Sequence, residues 1–278
     1  MARIECNFSS RTVGGNVSVE VIIPSMNFGD MMTGKTDEEL YGKRFPVLWL
    51  LHGTSGDHTD WLRYTCVERW AEENKIAVVT PAVKMSAYTD MAKGPAYFTY
   101  MTEELPAILQ HMFPISDKRE DNYIAGLSMG GYGATKLGLR RPDLYSMVIE
   151  LSGGLDRVSM CEDMLRKEQA GEDVHGGLHN IDSLHATFGE DLSKVRGSEN
   201  DCFHLAETFD TENKPMPTFY MACGTEDFGF GVNVKMRDLL IKKGFDVIWE
   251  QGPGGHTWIF WNEYLERAFK WIVKQRNQ

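Results

Sequence analysis

Apolar residues in this chain fall into short, almost unbroken runs. "FPVLWLLHG" is repeated in plan by "KIAVVTP", "DNYIAGLS", "SMVIELSGG", "PTFYMACGTED" and "FDVIWEQGPGG". Runs without polar alternation suit strands covered on both faces, as in a parallel sheet. Between them lie segments of helical spacing, over 58–73, 99–113, 130–140, 231–243 and 258–274. In the second, Leu105, Ile108, Leu109 and Met112 recur at helical intervals, and Pro106 is placed to kink its start. Strands alternating with helices predict an α/β fold, a mostly parallel sheet with helices on both faces.

Three stretches depart from that rhythm. "RIECNF" and "VSVEVIIP", joined across Gly14-Gly15-Asn16, read as an antiparallel pair at the start of the chain. Residues 28–44 are polar and glycine-bearing, and read as a surface loop. Residues 154–215 are polar with only short apolar pieces. They are expected to form a lid-like insertion of short helices and loops over one end of the sheet, within a single domain spanning 1–278.

Composition narrows the function classes. With 42% hydrophobic and 25% charged residues, the chain has the balance of a globular protein with a sizeable core. Its net charge of −11 disfavours nucleic acid as a partner, because a phosphate backbone needs clustered Lys and Arg. No apolar stretch is long enough to cross a bilayer, and "MARIECNFSS" lacks the pattern of a signal peptide. The five cysteines have no C-x-x-C spacing and read as reduced thiols of a cytoplasmic protein. Association with a second copy is left open.

The candidate chemistry centres on "AGLSMGGYGA" at 125–134. A Gly126-x-Ser128-x-Gly130 match means little by itself, and the bland reading is a tight glycine turn with an inert serine. Placement decides: a strand precedes Ser128 and a helix follows it. A sharp strand-to-helix turn lifts the hydroxyl above the strand ends, where open parallel sheets bind ligands. A serine hydroxyl needs a base, and the base needs an orienting carboxylate. The exit loop of "MACGTEDFG" offers Glu226 and Asp227, and the glycine-rich loop of "GPGGHTWIFW" offers His256. Asp227 is preferred, since the shorter carboxylate reaches Nδ1 from a turn. Oxyanion donors are expected from the backbone N–H groups of Met129 and of Thr54, which follows His52-Gly53.

Other groups are read against that constellation. His52 and His111 are read as structural. His175, His179 and His185 lack regular ligand spacing, so they read as part of a polar lid, with no metal and no cofactor. Trp61, Tyr64, Phe228, Phe230 and Trp258 are the candidate substrate-contacting aromatics. Trp258, which starts the last helix, is the one most expected in the core.

The motifs "LLHGTSGDHTDW", "YFTYMTEELPAILQHMFP", "IAGLSMGGYGA", "CGTED" and "GGHTWIFW", in this order, resemble the esterase D and tributyrin esterase group of α/β-hydrolases. That group includes S-formylglutathione hydrolases and some feruloyl esterases. The resemblance implies a cofactor-free serine carboxylesterase acting on small short-chain esters, with Ser128, Asp227 and His256 as triad. S-formylglutathione hydrolysis, feruloyl or acetyl ester cleavage on plant polysaccharides, and an inactive hydrolase-fold binding module are the alternatives. Glutathione carboxylates would need basic groups, and Arg63 is nearly alone in the site loops.

Overall fold

In the computed structural model, which describes residues 1–276, the apolar runs are strands of one sheet. In chain order they are β1 (Ala2–Ser10), β2 (Gly15–Ile23), β3 (Val47–Leu51), β4 (Ala77–Pro81), β5 (Asn122–Leu127), β6 (Met147–Leu151), β7 (Thr218–Gly224) and β8 (Val247–Gly252). Across the sheet the order is β1-β2-β4-β3-β5-β6-β7-β8. β1 pairs antiparallel with β2, and β2 with β4; all other pairs are parallel.

Side-chain alternation divides the core. Val47, Trp49 and Leu51 of β3 point into one apolar cluster, and Leu48 and Leu50 into the other. The first cluster is covered by helices Leu105–Met112, Met129–Arg140 and Phe230–Lys242, the second by Val67–Asn74 and Trp258–Arg276. The central strands are therefore buried at every position and mostly apolar. β8 sits at the edge, and its run is only half covered, with Ile248 exposed.

Three elements differ from the sequence reading. Residues 28–44 are not simply a loop: they hold the short helices Phe28–Met32 and Asp37–Tyr41, each closed by a capping box. Thr36 and Glu39 satisfy each other's backbone N–H groups there, which steadies a single turn of polar residues. The 58–73 helix is two helices, Asp60–Tyr64 and Val67–Asn74, separated where Thr65 is extended and bonds the Trp61 carbonyl through its hydroxyl. The segment around Pro106 is helical from Tyr97, with a π-helical turn at Tyr100–Glu104. Proline lacks an N–H and crowds the carbonyl four residues back, so the ladder widens just before it.

Residues 154–215 contain helices Arg157–Gln169, Ile181–Phe188 and Cys202–Glu207 and the 3₁₀ turn Leu192–Val195. Their own small apolar cluster includes Val158, Cys161, Ile181, Leu184 and Leu192. Polar ties fix the segment to the sheet layer. The fully buried Lys136 ammonium donates to Ala87 O (2.8 Å), Thr89 Oγ1 (2.7 Å) and Asn200 Oδ1 (3.2 Å), and Tyr132 OH donates to Asn200 O at 2.8 Å.

An acidic side chain with no cationic partner among the described residues lies inside the sheet layer. Glu150 of β6 is 0% exposed; its Oε1 accepts from the Gly153 N–H, and its Oε2 has no partner among the described residues. Burial pushes its carboxyl up to about 8 from an ordinary 4.5, so the folded protein holds a proton there that the unfolded chain has released. Stability drawn from this group is complete at low pH and falls as pH rises from about 4.5 to about 8. Over that window the wild-type Tm should decline relative to that of Glu150→Gln, whose neutral amide does not titrate. Melting curves of both proteins against pH check this; parallel curves would rule it out.

Candidate active site

Ser128 is the single residue between β5 and the helix Met129–Arg140, and its backbone is left-handed, with φ 53° and ψ −115°. A non-glycine residue there is strained, at about 1–3 kcal/mol, and persists only where its surroundings force it. Three backbone hydrogen bonds do so. The Ser128 N–H donates to Leu151 O, and its carbonyl accepts from Tyr132 and Gly154, each at 3.0 Å. The flanking glycines are dictated by contact. A Cβ on Gly126 would lie 2.3 Å from the Gly130 carbonyl, and one on Gly130 would lie 2.3 Å from Leu51 O. Only bare backbone lets the helix start this close to the ends of β3 and β5.

The exits of β7 and β8 bring an acid and a base together. His256 Nδ1 lies 2.8 Å from Asp227 Oδ2, and the Asp227 side chain is fully buried. Asp227 Oδ1 accepts the Gly229 N–H at 2.8 Å. Burial alone would raise the Asp227 carboxyl, but the hydrogen bonds from His256 and Gly229 outweigh it and hold the group below the usual range. An ionised Asp227 takes the Nδ1 proton as partner, which leaves the Nε2 lone pair free to accept a proton. The ring is flanked by Phe228 (4.6 Å between centroids) and stands perpendicular to Trp261 (4.8 Å). Glu226, the other candidate acid, is exposed and instead accepts the Gly254 N–H, bracing the loop that carries His256.

Behind this pair lies Asn233, which sequence reasoning missed. It is 0% exposed and donates to Gly153 O (3.0 Å) and Gly229 O (2.9 Å), while its Oδ1 accepts from Gly153 N–H at 3.2 Å. One amide thus joins the turn after Asp227 to the loop whose next residue, Gly154, holds Ser128. An asparagine in the first turns of an amphipathic helix gives no sequence signal of this kind.

His52 shapes the loop that follows β3. Its Nε2 accepts the Val83 N–H at 3.0 Å, so Nδ1 carries the proton and donates to Gly53 O at 2.6 Å. Burial lowers its pKa and keeps it neutral. In a trans peptide the C=O and N–H point oppositely, so anchoring Gly53 O aims the Thr54 N–H away from His52. Gly53 and Thr54 line the cavity described below, and a Cβ on Gly53 would sit 3.8 Å from that of Ser128. Met129 occupies the first helical position, where N–H groups have no intrahelical acceptor.

Ser128 and His256 line one cavity of about 580 Å³ with Thr54, Asp60, Leu127, Leu178, His179, Phe228, Trp258 and Trp261. Of the five aromatics selected from sequence, Phe228 and Trp258 are in its wall, and Trp258 is half-buried there rather than part of the core. The other three lie outside it. Trp61 is fully buried, donates to Leu51 O at 3.0 Å and meets Trp258 edge-on, so it supports the wall from behind. Tyr64 stacks on Trp258 in a separate surface groove, and Phe230 lies against Trp249 at the start of its helix. Trp261, one helical turn after Trp258, takes the place expected of them. The histidines of 154–215 separate: His175 pairs with Asp182 at 2.8 Å, His185 approaches Glu190 at 3.6 Å, and His179 alone reaches the cavity.

The family described as "Putative esterase" matches residues 38–272. An acetyl esterase of Caldicellulosiruptor saccharolyticus is 32% identical over 277 residues, covering 99% of each chain. Two Staphylococcus aureus structures cover 98% of both chains. The fluorophosphonate-binding serine hydrolase F is 33% identical with a TM-score of 0.83, and an S-formylglutathione hydrolase is 34% identical with a TM-score of 0.80. The sheet and its helices are the α/β-hydrolase fold, and the chain belongs to the esterase family as a serine-type carboxylic ester hydrolase.

Proposed function

We propose that Ser128, His256 and Asp227 are the catalytic triad, and that the enzyme cleaves short-chain acyl esters. The observation that carries this reading is the 2.8 Å contact between buried Asp227 and His256, which lines the same cavity as Ser128. His256 Nε2 takes the hydroxyl proton as Ser128 Oγ attacks the ester carbonyl. The N–H groups of Met129 and Thr54 receive the developing oxyanion. The intermediate collapses as His256 protonates the leaving alcohol, leaving an acyl-serine. Water, deprotonated by the same imidazole, then releases the acid. Asp227 fixes the tautomer and stabilises the imidazolium without taking the proton.

Residues 154–215 serve in this reading as a lid within a single domain, since Leu178 and His179 reach the cavity wall. A reducing, cytoplasmic setting is consistent with five free cysteines. Among the described residues no helix is long and apolar enough to cross a membrane. The short acyl preference is supported by the wall of Leu127, Trp258 and Trp261 and by the relative that is an acetyl esterase.

Ser128→Ala should abolish turnover of a nitrophenyl acetate while leaving the melting curve in place, and a fluorophosphonate should label Ser128 alone. Labelling at another residue would remove the triad assignment. Asp227→Asn should lower kcat by about 10⁴-fold, because the amide favours the wrong tautomer. Glu226→Gln should change it little; the opposite ranking would make Glu226 the acid.

Acyl length is a second test. Each methylene buried against the cavity wall adds about 0.8 kcal/mol, or roughly fourfold in kcat/KM, until the wall ends. Values should rise from acetate to butyrate and fall steeply by octanoate. A continued rise to laurate would mean an open groove and would overturn the short-chain reading.

A further inference from the structure

We propose that Arg157, with His179 beside it, forms a carboxylate-recognising subsite behind the catalytic cavity, selecting esters whose acyl part ends in a second carboxylate. The proposal rests on the ester-hydrolase reading of Ser128. Arg157 is the first residue of its helix and only 5% exposed. Among the described residues no carboxylate pairs with it. Its Nη1 reaches Met160 Sδ at 3.5 Å, its Cζ lies 4.8 Å from the centre of the Tyr132 ring, and its Nε has no hydrogen-bond partner.

That placement is unfavourable on three counts. Burial strips water from a cation, and a sulfur and an aromatic face return only part of what is lost. The N-terminus of a helix carries the positive end of its dipole, which repels a guanidinium. An unsatisfied donor adds a further penalty. Burial does pull its pKa down from 12.5, but a guanidinium does not give up its proton at neutral pH. The apolar cluster of residues 154–215 is built without Arg157. A buried polar group without an internal partner is suited to a ligand.

The geometry points to where that ligand sits. Arg157 lines an inner chamber of about 20 Å³ with Met85, Ala87, Met129, His179 and Leu184. That is room for one water-sized group, such as one oxygen of a carboxylate. His179 belongs to the walls of both the chamber and the catalytic cavity. Burial and the charge of Arg157 lower the His179 pKa, leaving a neutral imidazole with one donor and one acceptor. The chamber also adjoins the Ser128 turn. A Cβ on Gly154, whose N–H holds the Ser128 carbonyl, would lie 3.4 Å from Arg157 Nη2. The catalytic cavity itself is lined by Asp60 and by no Lys or Arg among the described residues, whereas Arg157 lines the chamber that shares His179 with it.

The test compares ethyl half-esters of malonic, succinic and glutaric acid with ethyl propionate, butyrate and valerate, by pH-stat titration. The wild type should favour at least one half-ester over its neutral counterpart by about tenfold or more. Arg157→Met should lose about a hundredfold in kcat/KM on that half-ester, the scale for removing one partner of a buried charge pair. It should change ethyl acetate turnover little and melt no lower than wild type; Arg157→Lys should retain part of the preference. A second arm needs no turnover: monoethyl succinate should raise the Tm of Ser128→Ala, and the shift should vanish in Ser128→Ala/Arg157→Gln. If the half-esters are disfavoured and no such Tm shift occurs, the subsite is overturned, even with ethyl acetate turned over normally. Undiminished ethyl acetate turnover by Ser128→Ala, with the Tm shift intact, would instead count against the role of Ser128 and support the subsite.

Discussion

Everything at this site depends on one close approach, where the start of the helix Met129–Arg140 presses against the ends of β3 and β5. Gly126 and Gly130 let the backbones meet, and the price is a left-handed Ser128. The strain is about 1–3 kcal/mol, and it is offset locally by hydrogen bonds to Leu151, Tyr132 and Gly154. Because those partners come from β6, from the helix and from the loop after β6, the turn cannot relax without disturbing three elements. This rigidity gives the hydroxyl of Ser128 a fixed direction.

The groups around the turn are held by buried polar side chains rather than by apolar packing. His52 anchors the Gly53 carbonyl, and Asn233 bridges Gly153 and Gly229. Glu150 accepts the Gly153 N–H from inside the sheet layer. Loops near a site expose backbone N–H and C=O groups that no strand or helix satisfies. A buried side chain that pairs with them removes the desolvation penalty and fixes the orientation of the peptide at the same time. The loop after β3 is the plainest case, since holding one carbonyl aims the next N–H.

Two regions combine to make the cavity. The strand exits supply Ser128, Asp227, His256 and the aromatic wall, on a sheet whose central strands are buried at every position. Residues 154–215 supply Leu178 and His179 from a segment with its own small core, pinned through Asn200 to Lys136 and Tyr132. Ser128 and His256 thus lie on strand exits of the sheet, and Leu178 and His179 come from a segment with its own core.

The sequence by itself determined the fold class, the antiparallel start and the candidates Ser128, Asp227 and His256. Each of these depends on local pattern: unbroken apolar runs for doubly covered strands, and turn residues at strand ends. In a parallel sheet the strand ends face one edge, so residues distant in sequence are brought together by topology alone. Short helices in 28–44 were missed although Thr36 and Glu39 carried a capping signature. The division of the aromatics was decided only by tertiary structure. Trp61, Tyr64, Phe228, Phe230 and Trp258 all lie near site loops, yet two of them face the cavity. Which face a side chain presents depends on where each helix begins and how it crosses the sheet, and local spacing does not encode that. The same holds for Asn233, Glu150 and Arg157, whose surroundings are set by neighbours on other elements.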